Sequence, residues 1–234
     1  MTRPRHRRDA LGRLVRVGAA EVGSVLRAGW HTLARPALPE TVVAPHLPAT
    51  LLVHGFLARG ATLGPLTRAL VDGGVPEIVV VDYPSTRVRF EDIVDRIAVA
   101  GSSLARRRGP IGVVGHSLGA VAARTWIKRY GGALHVARFV SIAGPHHGTA
   151  LHRLLAPSLR GVLDPHGAVV RAANEGPEPV PTTVIRARHD LQVVPPESAA
   201  LPGVPERVFD DLGHNALLTS PDAHAAVLAA LRLR

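Results

Sequence analysis

The sequence has no cysteine and few aromatic residues, which make up 3% of its 234 positions. Without a thiol, neither disulfide bonds nor thiolate catalysis are available to the chain. With so few aromatic side chains, the core must be built from alanine, valine, leucine and isoleucine. Lysine is almost missing as well, since Lys128 is the single one, and arginine therefore carries the positive charge.

Long hydrophobic runs are also missing. No stretch of about 18 apolar residues is free of charge, so the sequence predicts no membrane-spanning helix. The basic N-terminus is not followed by the uninterrupted apolar segment and small-residue cleavage site of a signal peptide. We therefore expect a cytoplasmic location. Hydrophobic residues at 46% and charged residues at 20% are typical of a globular protein, and the length suits one domain.

Residues 1–40 concentrate the positive charge, because they hold eight arginines against three carboxylates within a chain of net charge +10. Apolar residues spaced three or four apart predict an amphipathic helix over residues 11–30. These apolar positions are Leu11, Leu14, Val15, Val22, Val25, Leu26 and Trp30. The helix can pack on the parent domain or contact a membrane peripherally, and a solvated tail is the alternative. Basic stretches interleaved with aromatic residues are missing, so we expect no nucleic-acid partner.

From residue 49 onward, short apolar runs alternate with helical patterns. The predicted strands are 49–53, 77–82, 111–115, 136–143, 182–187 and 207–209. The predicted helices are 62–73, 90–107, 118–130 and 221–232. Apolar strands separated by helices indicate an α/β fold with a mostly parallel central sheet and helices on both of its faces.

The sharpest motif is Gly115-His116-Ser117-Leu118-Gly119, which has the form G-x-S-x-G. It follows a predicted strand directly and precedes a predicted helix directly. A serine at such a turn is held in a strained bend that projects its hydroxyl from the carboxyl edge of the sheet, above a helix N-terminus. The motif predicts Ser117 as a nucleophile, whereas the plainer interpretation is a glycine-rich turn with an incidental serine.

Four segments resemble the small bacterial lipases and esterases of the α/β-hydrolase fold. They are Leu52-Val-His-Gly-Phe56, residues 115–124, Ala143-Gly-Pro-His-His-Gly-Thr149 and residues 213–218. The third resembles a G-x-P-H-x-G-[ST] motif with Ala143 in place of the first glycine. The resemblance implies that residues 41–234 form an α/β-hydrolase catalytic domain with a minimal cap, preceded by the basic extension of residues 1–40. It also implies a serine-dependent enzyme that cleaves small-molecule or lipid esters.

In this fold the catalytic residues follow the chain order serine, acid, histidine. His214 is the best placed base, because it lies in a short loop between the last predicted strand and the last helix. Asp190 follows the preceding strand and comes before a Val-Val-Pro sequence, so we predict it as the acid that orients His214. The other acids considered are Asp164, Asp210, Asp211 and Asp82, the last of which we expect to be structural.

The tetrahedral intermediate of ester hydrolysis needs hydrogen-bond donors for its oxyanion. The N–H of the residue after the nucleophile, Leu118, is one predicted donor, and the resemblance implies Phe56 as the other. We expect His54 to support the loop that carries Phe56. His146 and His147 are expected to shape the floor of the site or to bond the backbone. The predicted mechanism requires no metal or organic cofactor.

Two kinds of alternative stay open. A thioesterase or an acyltransferase would use the same triad, and an inert scaffold would keep the fold without the chemistry. Residues 150–172 also have two interpretations, since their leucines can form a partial lid over an acyl pocket or fill the core. The six apolar residues concerned are Leu151, Leu154, Leu155, Leu159, Val162 and Leu163.

Overall fold

The computed structural model describes residues 47–233. The predicted extension of residues 1–40 and its helix over residues 11–30 lie outside this range. The strands are β1 (Thr50–Val53), β2 (Ile78–Val81), β3 (Ile111–His116), β4 (Val136–Ile142), β5 (Thr182–Ala187) and β6 (Glu206–Phe209). The helices are α1 (Gly64–Asp72), α2 (Phe90–Arg108), α3 (Leu118–Arg129), α4 (Pro157–Arg160), α5 (Ala168–Ala173) and α6 (Pro221–Leu231).

The six strands form one sheet in the order β2-β1-β3-β4-β5-β6, and every neighbouring pair is parallel. Their carboxyl ends are in register along one edge of the sheet. Val53 pairs with Val81 and Gly115, and Ile142 pairs with His116 and Ile185. The loops that leave this edge hold Phe56, Ser117, Asp190 and His214, and Leu118 begins the helix that follows Ser117. The α/β fold with a parallel central sheet expected from the sequence is therefore confirmed.

Two separate apolar clusters cover the two faces of the sheet. Leu51 and Val53 of β1 pack with α2 and α3, whereas Leu52 between them packs with α1 and α6. This alternation follows from the period of two in a strand. Both faces of β1 and β3 are buried, which explains why these inner strands are almost entirely apolar.

The predicted helix near residues 62–73 begins two residues later in the structure than the sequence predicts. Residues Gly60–Leu63 form a 3-10 turn, and the α-helix starts at Gly64 with Pro65 in its first turn. Proline suits that position because its fixed φ matches a helix and no intrahelical N–H bond is needed there. The bounds of the other predicted helices and strands lie close to those observed.

Residues 150–172 form a 3-10 helix, Ala150–Leu154, and then α4 and part of α5. Leu159, Val162 and Leu163 are buried in the cluster shared with α2 and α3, so these three fill the core. Leu154 is 79% exposed, Leu151 and Leu155 are half-buried, and Leu155 packs against the same cluster. The interpretation as core is confirmed for three residues, and a role of Leu154 and Leu155 as a pocket wall stays a prediction.

Both ends of the described chain meet at the amino edge of the sheet. A Cβ placed on Gly112, the second residue of β3, would lie 3.2 Å from Pro48 Cγ and 2.7 Å from Leu231 Cδ2. Glycine is needed here because the two chain ends converge on it. Among the helices of residues 47–233, none is both long and apolar enough to cross a membrane.

Candidate active site

Ser117 lies in the turn between β3 and α3 and has φ +54° and ψ −125°. Such a backbone costs a non-glycine residue roughly 1–3 kcal/mol and is usually found where function requires it. The Ser117 N–H donates to the carbonyl of Ile142 at 2.9 Å, which fixes the turn to the end of β4. The Ser117 carbonyl in turn accepts the first helical hydrogen bonds of α3, from Ala120 and Val121. The strand–turn–helix context predicted for the motif is confirmed.

Glycines let three pieces of backbone meet around Ser117. A Cβ on Gly115 would lie 2.5 Å from Ala120 Cα, and one on Gly119 would lie 2.6 Å from the Val53 carbonyl oxygen. A Cβ on Gly55 would lie 2.9 Å from Ser117 Cβ itself. Contacts this short occur only if no side chain is present, so the motif glycines are required for close packing of α3 against the sheet.

Two further non-glycine residues of the described chain have positive φ. Leu57 has φ +54° in the loop after β1, and Ala143 has φ +49° directly after β4. Ala143 is the position where the resembling motif has glycine. A glycine would adopt this backbone without strain, which gives the motif its physical reason. All three strained residues thus lie at the edge of the sheet that carries Ser117.

Asp190 and His214 are brought together as predicted, although 24 positions separate them. His214 Nδ1 lies 2.8 Å from Asp190 Oδ2, and both side chains are 2% exposed. Asp190 Oδ1 accepts the N–H groups of Gln192 at 2.8 Å and Val193 at 2.9 Å. Burial alone raises the pKa of the Asp190 carboxyl, but the charge and hydrogen bond of His214 and the two amides outweigh it. The pKa of Asp190 therefore lies below its usual value, and the group is ionised at neutral pH.

The other carboxylates considered as the triad acid bind other groups. Asp164 Oδ1 accepts the His166 N–H at 2.9 Å, and Asp210 forms an exposed ion pair with Arg188. Asp82 follows β2 and accepts the Gly60 N–H at 2.8 Å, so it links the loops after β1 and β2. This contact agrees with the structural role expected for Asp82.

His116 joins the Ser117 turn to the His214 loop. Its Nε2 lies 3.3 Å from the His214 carbonyl oxygen, and the two imidazole centroids are 4.8 Å apart. Burial, with the neighbouring His214 as the next cause, lowers the pKa of His116 to about 3. His116 is therefore neutral, with Nε2–H as the donor to that carbonyl. Because His116 directly precedes Ser117, this bond connects the loop of the predicted base to the turn of the predicted nucleophile.

The two predicted oxyanion donors belong to the start of α3 and to the loop after β1. Leu118 is the first residue of α3, so its N–H has no acceptor within the helix. Phe56 lies in the loop after β1 and is half-buried against the core. His54 supports this loop, because its ring stacks on Tyr83 at 4.0 Å and its Nδ1 lies 2.9 Å from the Gly55 carbonyl oxygen.

A buried polar network below the β4 loop was not predicted. His146 Nε2 lies 2.7 Å from Ser141 Oγ, and the Asn174 amide donates to the His146 carbonyl at 2.8 Å. Arg124 of α3 donates to Asn174 at 2.9 Å and forms a buried ion pair with Glu178. The network fixes the loop after β4 to α3 and α5. The one sequence signal for it is an arginine inside the apolar run Ala120–Ile127.

The buried histidines predict a protein that loses stability in acid. Burial, followed by the charge of Arg124, lowers the pKa of His146 well below 6.5, and the pKa of His116 is about 3. Below pH 6.5 the unfolded chain binds protons that the folded chain does not. The free energy of unfolding should therefore decrease as the pH is lowered below 6.5, by up to about 1.4 kcal/mol per pH unit for each such histidine.

Urea unfolding of the parent and of His146→Gln between pH 7 and pH 5 tests this expectation. Glutamine can still bind Ser141 but does not titrate, so the variant should show the shallower pH dependence. Equal slopes for the two proteins would contradict the assignment of His146 as a neutral buried histidine.

Two cavities lie outside the catalytic contacts. The larger, about 450 Å³, lies between α2, α3 and α5 and contains none of the predicted site residues. The smaller, about 300 Å³, is lined by the loops after β1 and β2, including Leu57, which follows Phe56 in the chain. Within residues 47–233, no group of three or more histidine or carboxylate side chains is arranged to hold a metal ion.

Comparison with solved structures agrees with the fold of the chain. Lipase BlEst2 of Bacillus licheniformis, in its mature form, has a TM-score of 0.71 at 12% identity, over 83% of this chain and 96% of the lipase. Lipase B of Aspergillus fumigatus has a TM-score of 0.62 at 19% identity, over 84% of this chain and 59% of that protein. Naproxen esterase of Bacillus subtilis has a TM-score of 0.55 at 12% identity, over 91% and 97% of the respective chains. At these identities the structures establish a shared fold.

Sequence comparison identifies the family to which the chain belongs. No functionally curated protein matches the chain. The family model of palmitoyl protein thioesterases matches residues 53–172, which is half of the chain and runs from the last residue of β1 through the Ser117 turn and the loop after β4. The resemblance to α/β-hydrolases is thereby confirmed, and the chain belongs to the palmitoyl protein thioesterase family of hydrolases.

Proposed function

We propose that this hydrolase cleaves carboxylic esters with Ser117 as nucleophile, His214 as base and Asp190 as the acid that orients it. The observation that carries the proposal is the buried contact of 2.8 Å between His214 Nδ1 and Asp190 Oδ2, beside the strained turn of Ser117. An ionised carboxylate at Nδ1 keeps the proton on that nitrogen. Nε2 is then the unprotonated atom that can accept the hydroxyl proton of Ser117.

The proposed reaction has two halves. Ser117 Oγ attacks the ester carbonyl while His214 Nε2 takes its proton, and the N–H groups of Phe56 and Leu118 bind the oxyanion. The protonated His214 then gives its proton to the leaving alcohol. Water then attacks the acyl group while His214 takes its proton, and His214 returns that proton to Ser117 Oγ as the carboxylic acid leaves. Each half uses the same residues and needs no cofactor.

Thioester hydrolysis is the second candidate, and the family match favours it. The matched residues 53–172 include Ser117, which would attack a thioester carbonyl in the same way, and Phe56 and Leu118, whose N–H groups would bind the oxyanion. A thiolate is a better leaving group than an alkoxide, so it depends less on a proton from His214. The two candidates therefore differ in the leaving group and not in the residues used.

A matched set of substrates separates these candidates. Acetyl, octanoyl and palmitoyl groups are each offered as a p-nitrophenyl ester, as an ethyl ester and as an S-acyl thioester, together with labelling by a fluorophosphonate. We expect labelling of Ser117 and turnover of the ethyl esters. Thioester turnover without ethyl ester turnover would replace the first candidate by the second. The absence of both labelling and turnover would contradict the proposed chemistry altogether.

A further inference from the structure

The orientation of the Asp190 carboxylate depends on one short stretch of backbone. Its Oδ1 is held by the N–H groups of Gln192 and Val193, and this leaves Oδ2 to accept from His214 Nδ1. The Val193 N–H belongs to the same planar peptide unit as the Gln192 carbonyl. Whatever fixes that carbonyl therefore also fixes a donor to the carboxylate.

Thr149, in the loop after β4, binds this peptide unit from the other side. Its hydroxyl donates to the Gln192 carbonyl at 3.1 Å and accepts the Val194 N–H at 3.0 Å. The N–H of the next residue, Ala150, donates to the Val194 carbonyl at 2.8 Å. Thr149 itself is 4% exposed, so water does not compete effectively for these bonds.

The bonds form a continuous series from the β4 loop to the imidazole. Thr149 Oγ donates to the 192–193 peptide, that peptide donates to Asp190 Oδ1, and Asp190 Oδ2 accepts from His214. The hydroxyl also accepts the Leu151 N–H at 3.3 Å, so all of its hydrogen-bonding capacity is used. A bond to the carbonyl polarises the peptide and strengthens its N–H as a donor.

We propose that Thr149 is a positioning residue of the triad, which holds the Asp190 carboxylate in the plane where it can orient His214. The inference rests on the proposed function, because it assigns Asp190 and His214 their catalytic parts. Thr149 does not reach the substrate in this role. It acts through the peptide of Gln192 and Val193, and its loss should affect the proton transfer rather than the binding of substrate.

Three variants test the role. Thr149→Val keeps the shape of the side chain and removes the hydroxyl, whereas Thr149→Ser keeps the hydroxyl. Thr182→Val makes the same chemical change at a threonine that bonds the Val180 carbonyl at the opposite edge of the sheet. We expect Thr149→Val to lose about 10-fold to 100-fold in kcat with little change in KM. Thr149→Ser and Thr182→Val should stay close to the parent.

Two further measurements distinguish a residue that positions the Asp190 carboxylate from one that only stabilises the fold. A looser carboxylate stabilises the protonated imidazole less, so the acid limb of the kcat/KM profile of Thr149→Val should move to lower pH. The low-field proton resonance of His214 Nδ1–H should also shift or broaden in Thr149→Val and not in Thr149→Ser. This resonance is measurable in the absence of any turnover, and in Thr149→Ala if the valine variant does not fold.

Each result has a definite meaning. The inference is overturned if the parent is active and labelled on Ser117, and Thr149→Val equals it in kcat, in the acid limb and in the Nδ1–H resonance. The inference is also overturned if Thr149→Ser and Thr149→Val lose equal activity, have a lower melting temperature and show an unmoved acid limb. Thr149 would then only stabilise the fold. A parent without turnover would refute the proposed function, whereas the resonance would still decide whether Thr149 positions Asp190.

Discussion

Replacement of Ser117 by alanine should lower kcat for ester hydrolysis by about 10⁴-fold to 10⁶-fold. The change removes the atom that forms the acyl-enzyme, and no other hydroxyl lies in the same turn. The fold should be retained, because alanine meets the same backbone strain at φ +54° as serine does. Kinetics on a p-nitrophenyl ester, together with a thermal melt, measure both expectations.

The matched control is Ser102→Ala, in α2 and away from the carboxyl edge of the sheet. This variant should keep parental turnover and parental labelling by the fluorophosphonate. An alanine variant at position 117 with activity within tenfold of the parent would show that Ser117 is not the nucleophile. Loss of activity with an equal loss in Ser102→Ala would point to unfolding instead.

The second large effect is expected from Asp190→Asn. Oδ1 accepts two backbone N–H groups, so the amide oxygen of asparagine must take that place. The NH₂ group then stands where Oδ2 was, 2.8 Å from His214 Nδ1, and requires that nitrogen to be an acceptor. His214 would carry its proton on Nε2 and could not accept one from Ser117. We expect a loss of about 10⁴-fold in kcat, the scale known for a triad histidine held in the wrong tautomer.

Asp210→Asn is the control, because Asp210 forms an ion pair with Arg188 at the surface. It should leave kcat unchanged. His214→Ala should be as severe as Ser117→Ala, and the double variant should add little, because a triad acts as a unit. If His146→Ala were more damaging than His214→Ala, the assignment of the base would be wrong.

The sheet was predictable because its inner strands are buried on both faces. The run Leu51–Val53 of β1 contains no polar position and is buried throughout, as is typical of a covered parallel strand. The helices between them were predictable from their periodicity, and the Ser117 turn from its two glycines. Chain order then reduced the histidines and carboxylates to His214 and Asp190 before any contact was known.

The contacts between loops could not be predicted in the same way. Thr149 and Gln192 are 43 positions apart in segments without periodicity, so no spacing indicates that they meet. The ion pair of Arg124 with Glu178 likewise joins a helix to a loop 54 positions away. Nor does the sequence indicate that Ala143 adopts a positive φ, because alanine rarely does so. These features depend on the assembled sheet.

The convergence of Pro48 and Leu231 on Gly112 has a practical consequence. Both ends of the described chain leave from the amino edge of the sheet, whereas Ser117, Asp190 and His214 follow strands at the carboxyl edge. A linker, affinity tag or solid support attached after α6, at the C-terminal end of the described chain, would therefore hold the molecule at the edge opposite the catalytic residues. The catalytic loops would then face the solution, and immobilised protein would stay open to bulky or aggregated substrates.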